Sequence, residues 1–156
     1  MKTEIERKYL VAGNAWRNEQ QRVFIRQGYL SLDRERTVRV RLADDRGFLT
    51  IKGSATGITR PEYEYTIPSE DARFLIEHLC LKPLIEKYRY TVEYAGAQWS
   101  VDEFLGVNAG LVVAEIELKT EDQDITLPDW VVEDVTNDPK YLNVQLTQNP
   151  YLDWHA

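Results

Sequence analysis

Read for polarity alone, long stretches of this chain alternate between an apolar residue and a charged or polar one. A period of two puts successive side chains on opposite faces of an extended strand. Thr3–Val11, Thr37–Ala43 and Ala97–Phe104 read as strands on this basis, as do residues 22–33, 48–53, 61–67, 84–94 and 111–119. Turn chemistry separates them: Asp44-Asp45-Arg46-Gly47, the small-residue loop 53–57, Ala95-Gly96 and residues 108–110. Residues 13–18 read as a turn or short helix.

A helical period is clear once. Phe74, Leu75, His78 and Leu79 recur at helix spacing in a segment that opens at Pro68 or Ser69 and runs to about Cys80. Glu70 and Asp71 sit in its first turn, where the helix dipole favours negative charge. The tail carries Pro128-Asp129-Trp130-Val131 and a predicted short helix over residues 140–146. About eight antiparallel strands and two or three helices make an α+β chain, and a sheet this wide curls, splits or closes into a barrel.

The charges on the strands are unusual. Glu4, Glu6 and Lys8 share one face, with Ile5, Arg7 and Tyr9 opposite. Like-charged pairs then recur two residues apart: Glu62/Glu64, Glu115/Glu117, Arg39/Arg41 and Lys87/Arg89. A solvated sheet face mixes Thr, Ser, Lys and Glu, whereas like charges about 6.5–7 Å apart on one face repel. Their repetition calls for bound counter-charges. Closing the sheet with these faces inward gives an eight-stranded antiparallel barrel, a tunnel with a polar lumen flanked by a few helices. It would hold Lys8, Arg26, Arg39, Arg41, Lys52, Lys87 and Arg89 together with Glu4, Glu6, Glu62, Glu64, Glu115 and Glu117. Unpaired buried charges are costly, so such a lumen must be wet and occupied. Guanidinium and ammonium groups suit phosphate oxygens. All-oxygen acidic ligands suit Mg²⁺ or Mn²⁺ better than zinc.

Composition narrows the field further. The chain has 156 residues, 43% of them hydrophobic and 29% charged, so one domain over residues 1–156 is expected. Its 26 acidic against 19 basic residues give a formal charge of −7, which argues against a nucleic-acid surface but does not say which way the charges point. The lone Cys80 allows no internal disulfide, and two histidines make a Ser-His-Asp triad or a His-rich metal site improbable. No apolar run approaches the roughly 20 residues that span a bilayer, and the charged start MKTEIERK lacks a signal peptide's apolar stretch. The expected setting is cytoplasmic, with no membrane or nucleic-acid partner, as a monomer or homodimer.

Taken in order, these residues resemble a known family. Glu4-Ile5-Glu6-Arg7-Lys8 resembles the ExExK signature of CYTH domains, also called triphosphate tunnel metalloenzymes. Gln27-Gly28-Tyr29-Leu30, Arg39-Val40-Arg41, Lys52, Glu62-Tyr63-Glu64, Glu86-Lys87-Tyr88-Arg89-Tyr90 and Glu115-Ile116-Glu117 look like its later motifs. Pro128-Asp129-Trp130 and Lys140-Tyr141-x-Asn143 look like the tail of its short bacterial members. The resemblance implies a tunnel that binds a small-molecule triphosphate and depends on Mg²⁺ or Mn²⁺. It is most similar to inorganic tripolyphosphatases, which yield pyrophosphate and phosphate.

On that reading the seven cations bind substrate and the six glutamates hold metal, with Lys8, Lys87, Glu4 and Glu117 in catalytic positions. A class IV-type adenylyl cyclase, a thiamine or nucleoside triphosphatase and a non-catalytic polyphosphate-binding module are the alternatives. Asp102 is placed either at the metal or on an exposed strand, and Lys140 either at a tunnel mouth or in solvent. Tyr29, Tyr63, Tyr88 and Tyr90 are expected outside the barrel, and the four tryptophans are expected to anchor packing.

Overall fold

A computed structural model describes residues 1–155. Its strands are β1 (Thr3–Val11), β2 (Val23–Ser31), β3 (Thr37–Ala43), β4 (Arg46–Lys52), β5 (Thr59–Ile67), β6 (Ile85–Tyr94), β7 (Ala97–Phe104), β8 (Val112–Glu117) and β9 (Val131–Asp134). Helix α1 covers Ser69–His78 and α2 covers Asn143–Gln148. The strands run β5-β4-β3-β2-β6-β7-β8-β1 across one sheet, and antiparallel pairing of β5 with β1 closes it into an eight-stranded barrel. Among the described residues, no helix is long and apolar enough to cross a membrane.

Two points of assembly bear on the site. The β6–β7 hairpin turns on Ala95 and Gly96, both at positive φ (50° and 78°), the geometry of a tight turn that matches strand twist. Strand β1 divides one of its edges, pairing with β5 through Thr3, Glu4 and Ile5 and with β9 through Tyr9, Leu10 and Val11. The alternation reading missed β9, because four residues following a turn-like Pro128-Asp129 carry too little pattern. It also drew the last helix as continuous from 140. A 3₁₀ turn at Pro139–Tyr141 precedes α2 instead, with Asp138 capping the turn by accepting from Lys140 N–H.

The apolar packing lies mostly outside the barrel. Tyr9, Trp99, Val101, Ala114 and Ile116 are the outward members of β1, β7 and β8, and all are buried. They pack with Trp16 and Tyr90, with Trp130 and Ile125 packed against them. On another flank α1 buries Ala72 and Ile76 against Val40 and Leu42. Gly28 allows this approach, since a Cβ there would stand 2.7 Å from the Cβ of Cys80. At one end of the barrel Tyr29, Ile85, Phe104, Leu111 and Val113 join Val144 and Leu146 of α2. Tyr29 therefore faces inward, against expectation. Ile25, Gln27 and Tyr29 are the buried parity of β2, so its outward parity carries Phe24, Arg26, Gly28 and Leu30.

Candidate active site

With apolar residues turned outward, the alternate residues of each strand meet inside. They enclose a cavity of about 610 Å³. All six predicted glutamates line it, as do Lys8, Arg39, Arg41, Lys52, Lys87 and Arg89. Arg60 and Lys119 also line it, and the sequence reading had singled out neither.

Arg26 does not belong there. It stands on the outward face of β2, 3.7 Å from Glu77 of α1 and 3.8 Å from Glu86. The residue that β2 turns inward at this level is neutral Gln27. Tyr29 lines the cavity too, while Lys140 lies over the rings of Tyr141 and Trp154 and leaves the lining to Leu142, Asn143 and Val144.

Strand order sorts the charges into two arcs. The six glutamates come from β8, β1 and β5, which are consecutive around the barrel. Arg39 and Arg41 of β3 and Lys87 and Arg89 of β6 flank β2 across the lumen. Strands β4 and β7 lie between the arcs, contributing Lys52 and Asp102.

The basic arc is held by designed partners. Asp102, only 1% exposed, receives Nε and Nη2 of Arg89 at 2.8 and 2.9 Å and the Nζ of Lys87 at 2.8 Å. The exposed placement does not hold for Asp102: it is buried, and it is engaged with cations. Burial alone would raise its pKa, but Arg89 and Lys87 outweigh that and hold its carboxyl well below the usual range. Burial, with Arg89 nearby, brings Lys87 down to about 8 in spite of Asp102. Lys87 Nζ also donates to Asn143 Oδ1 at 2.9 Å. Arg39 donates to Thr50 Oγ1 at 3.2 Å, and Thr50 in turn donates to Glu64 at 2.9 Å. Arg41, also near Glu64, is lowered to about 10 by burial and by the charge of Arg39.

The acidic arc is crowded. Glu6 pairs in register with Glu117 directly across the β1–β8 ladder, and Lys8 with Glu115. Opposed like charges destabilise a ladder. Lys8 partly offsets this at 3.3 Å from Glu115 and 3.9 Å from Glu6. Lys52 does the same at 2.7 Å from Glu4 and 3.3 Å from Glu62. Burial and then the charges of Glu115 and Glu4 still push Glu6 well above the ordinary carboxylate value. Burial, with Glu4 accepting its proton in a hydrogen bond, lifts Glu62 to about 7. Glu4 itself is held low, since the hydrogen bond from Glu62 and the charge of Lys52 outweigh burial.

Carboxylates driven to keep protons are short of positive charge, which is the condition a divalent cation relieves. Among the described residues no three Asp, Glu, His or Cys side chains converge as a ready-made metal cage. A Mg²⁺-like ion is usually held by one or two carboxylates and completed by water and phosphate oxygens. Glu6 and Glu117, opposite each other across the β1–β8 ladder, are two carboxylates that could serve as such donors.

Comparison with known proteins agrees with this geometry. The CYTH domain model matches residues 2–149. An inorganic triphosphatase of Acetivibrio thermocellus is 51% identical over 151 residues, covering 97% of each chain. An inorganic triphosphatase of Nitrosomonas europaea is 35% identical over 148 residues, covering 92% of this chain and 96% of that one. A crystal structure of an inorganic triphosphatase superposes with a TM-score of 0.66 at 32% identity, over 92% of this chain and 97% of that one. A putative adenylate cyclase from Bacillus halodurans shares the fold at 16% identity, with a TM-score of 0.61 over 78% of this chain and 84% of its own.

Proposed function

This chain belongs to the CYTH domain family, and from that premise we propose that it hydrolyses inorganic tripolyphosphate to pyrophosphate and phosphate, consuming one water. The observation that carries the reading is the lumen itself, where Arg39, Arg41, Lys87 and Arg89 face a carboxylate arc across an enclosed cavity. A polyanion alone would be repelled by the glutamates. A polyanion with a divalent cation matches both arcs at once.

Triphosphatases of this family are metal-dependent; we assign Mg²⁺ or Mn²⁺ here, held by Glu6 and Glu117 with Glu4. When bound, it supplies a Lewis acid to the phosphoryl oxygens. The residues of the chain do the rest. The guanidinium groups of Arg39, Arg41 and Arg89 grip non-bridging oxygens and keep the polyphosphate extended. Lys8 and Lys87, both nearly inaccessible, offset charge that develops on the leaving phosphate. Asp102 fixes the two cations of β6 so that no reorganisation is needed when the anion arrives. No side chain has to form a covalent bond.

The inorganic substrate is preferred on the cavity's lining: among the described residues Tyr29 is the one aromatic side chain there, and it is 5% exposed and packed into the end cluster rather than offered as a platform for a base. We place the protein in the cytoplasm, acting on a free small molecule. The test is product analysis with tripolyphosphate, ATP and thiamine triphosphate, each with and without Mg²⁺ or Mn²⁺. Metal-dependent phosphate release, fastest from tripolyphosphate, is expected. Cyclic AMP from ATP, or binding without turnover, would overturn the assignment.

A further inference from the structure

One neutral residue on the lumen wall is held with more care than packing requires. Asn143, the first residue of α2, lines the cavity. Its Oδ1 accepts from Lys87 Nζ at 2.9 Å and from Gln27 Nε2 at 3.0 Å. An ammonium group can only donate, so the amide atom facing Lys87 has to be oxygen and the amide cannot be reversed. Both lone pairs of that oxygen are then engaged. The Nδ2 group, with its two protons, is the other arm of the same planar amide and donates to no protein acceptor among the described residues.

The surroundings prevent the amide from drifting. Gln27 is wholly buried, and burying an amide is costly unless it is hydrogen-bonded. Its one recorded side-chain hydrogen bond is spent on Asn143. Val144 and Leu146, the neighbours of Asn143 along α2, are buried in the end cluster. The result is a fixed, uncharged double donor beside the Lys87 cation on the lumen wall.

Resting on the triphosphate reading, we propose that Asn143 donates through Nδ2 to an oxygen of the bound polyphosphate, and that Gln27 is a positioning residue that acts through it. A purely structural alternative exists, in which the trio only ties α2 to the barrel wall. The two separate in Asn143→Asp. That variant keeps an oxygen for Lys87 and gains an ion pair with it, so the tie survives; it loses the donor and turns a carboxylate oxygen toward the anion.

Binding is read by calorimetric titration with Mg²⁺ present, using the imido-bridged analogue of tripolyphosphate, which the enzyme does not turn over. Asn143→Asp is expected to weaken it by about tenfold or more, with an unchanged or higher Tm. Gln27→Met is expected to raise KM about threefold at unchanged kcat. Wild-type affinity in Asn143→Asp overturns the donor role and leaves the triphosphatase reading intact. A wild-type KM in Gln27→Met overturns the positioning role. A wild-type protein that does not bind the analogue overturns the function and this inference together.

Discussion

The two arcs of the barrel face the same cavity and solve opposite problems. The basic arc finds most of its partners within the protein: Asp102 takes Lys87 and Arg89, Asn143 shares Lys87, and Thr50 steadies Arg39, while the buried Nε atoms of Arg39 and Arg41 are left for an anion. The acidic arc is less well served, since Glu6 faces Glu117 across a ladder and burial beside Glu4 lifts Glu62 to about 7. One arc is preorganised and the other is left in want of charge. Stability and function therefore pull together on one side of the lumen and apart on the other.

The largest expected effect is on the acidic side. Glu6→Gln and Glu117→Gln should each lower metal-dependent phosphate release by about 100-fold or more, because a donor to the ion is lost. In metal-free buffer the same variants should melt at a higher temperature than wild type, since a neutral amide relieves the opposed carboxylates. Wild-type turnover, or a lower metal-free Tm, would break the contrast. Next comes Asp102→Asn. It removes the nearest counter-charge of Lys87 and Arg89, leaving Glu115 at 3.9 Å from Arg89, and should cost about 3 kcal/mol in denaturant unfolding. Activity should fall with it, so that this arc loses stability and turnover together.

The smallest effect is a pH slope. Lys87, lowered to about 8, carries its charge below that pH and loses it above. kcat/KM, which reports the free enzyme, should therefore fall as pH rises through about 8. The fall should be absent in Lys87→Arg, whose guanidinium stays charged. An unchanged profile in that variant would assign the slope to another group.

The six glutamates and six of the seven proposed cations were legible because a barrel lumen imposes a strict period of two on every strand. The same rule misled at Arg26. A cation on a strand was read as inward, although β2 turns Gln27 inward and gives its other parity to α1. Gly28 on the Arg26 parity was the available sign, since a helix pressed on a strand needs a residue without a Cβ. Asp102 was ambiguous because its meaning depends on Arg89 directly across the ladder, and pairing is invisible in one chain read linearly. Asn143 was quoted only as part of a tail pattern. It reaches the lumen from outside the sheet, through a short helix anchored by Val144 and Leu146, where no alternation marks it.

The edge of β1 that divides between β5 and β9 has a consequence for the order in which the molecule assembles. Strands β2 to β5 and β6 to β8 are linked by short connections and can pair as local meanders. Strand β1 is made first, yet it waits for partners more than a hundred residues away, Lys8 for Glu115 and Tyr9 for Asp134. Contacts of such long sequence separation are slow to form. Closing the cylinder brings the carboxylates of β1, β5 and β8 together. A cation held among them would therefore favour the closed cylinder as well as take part in its chemistry.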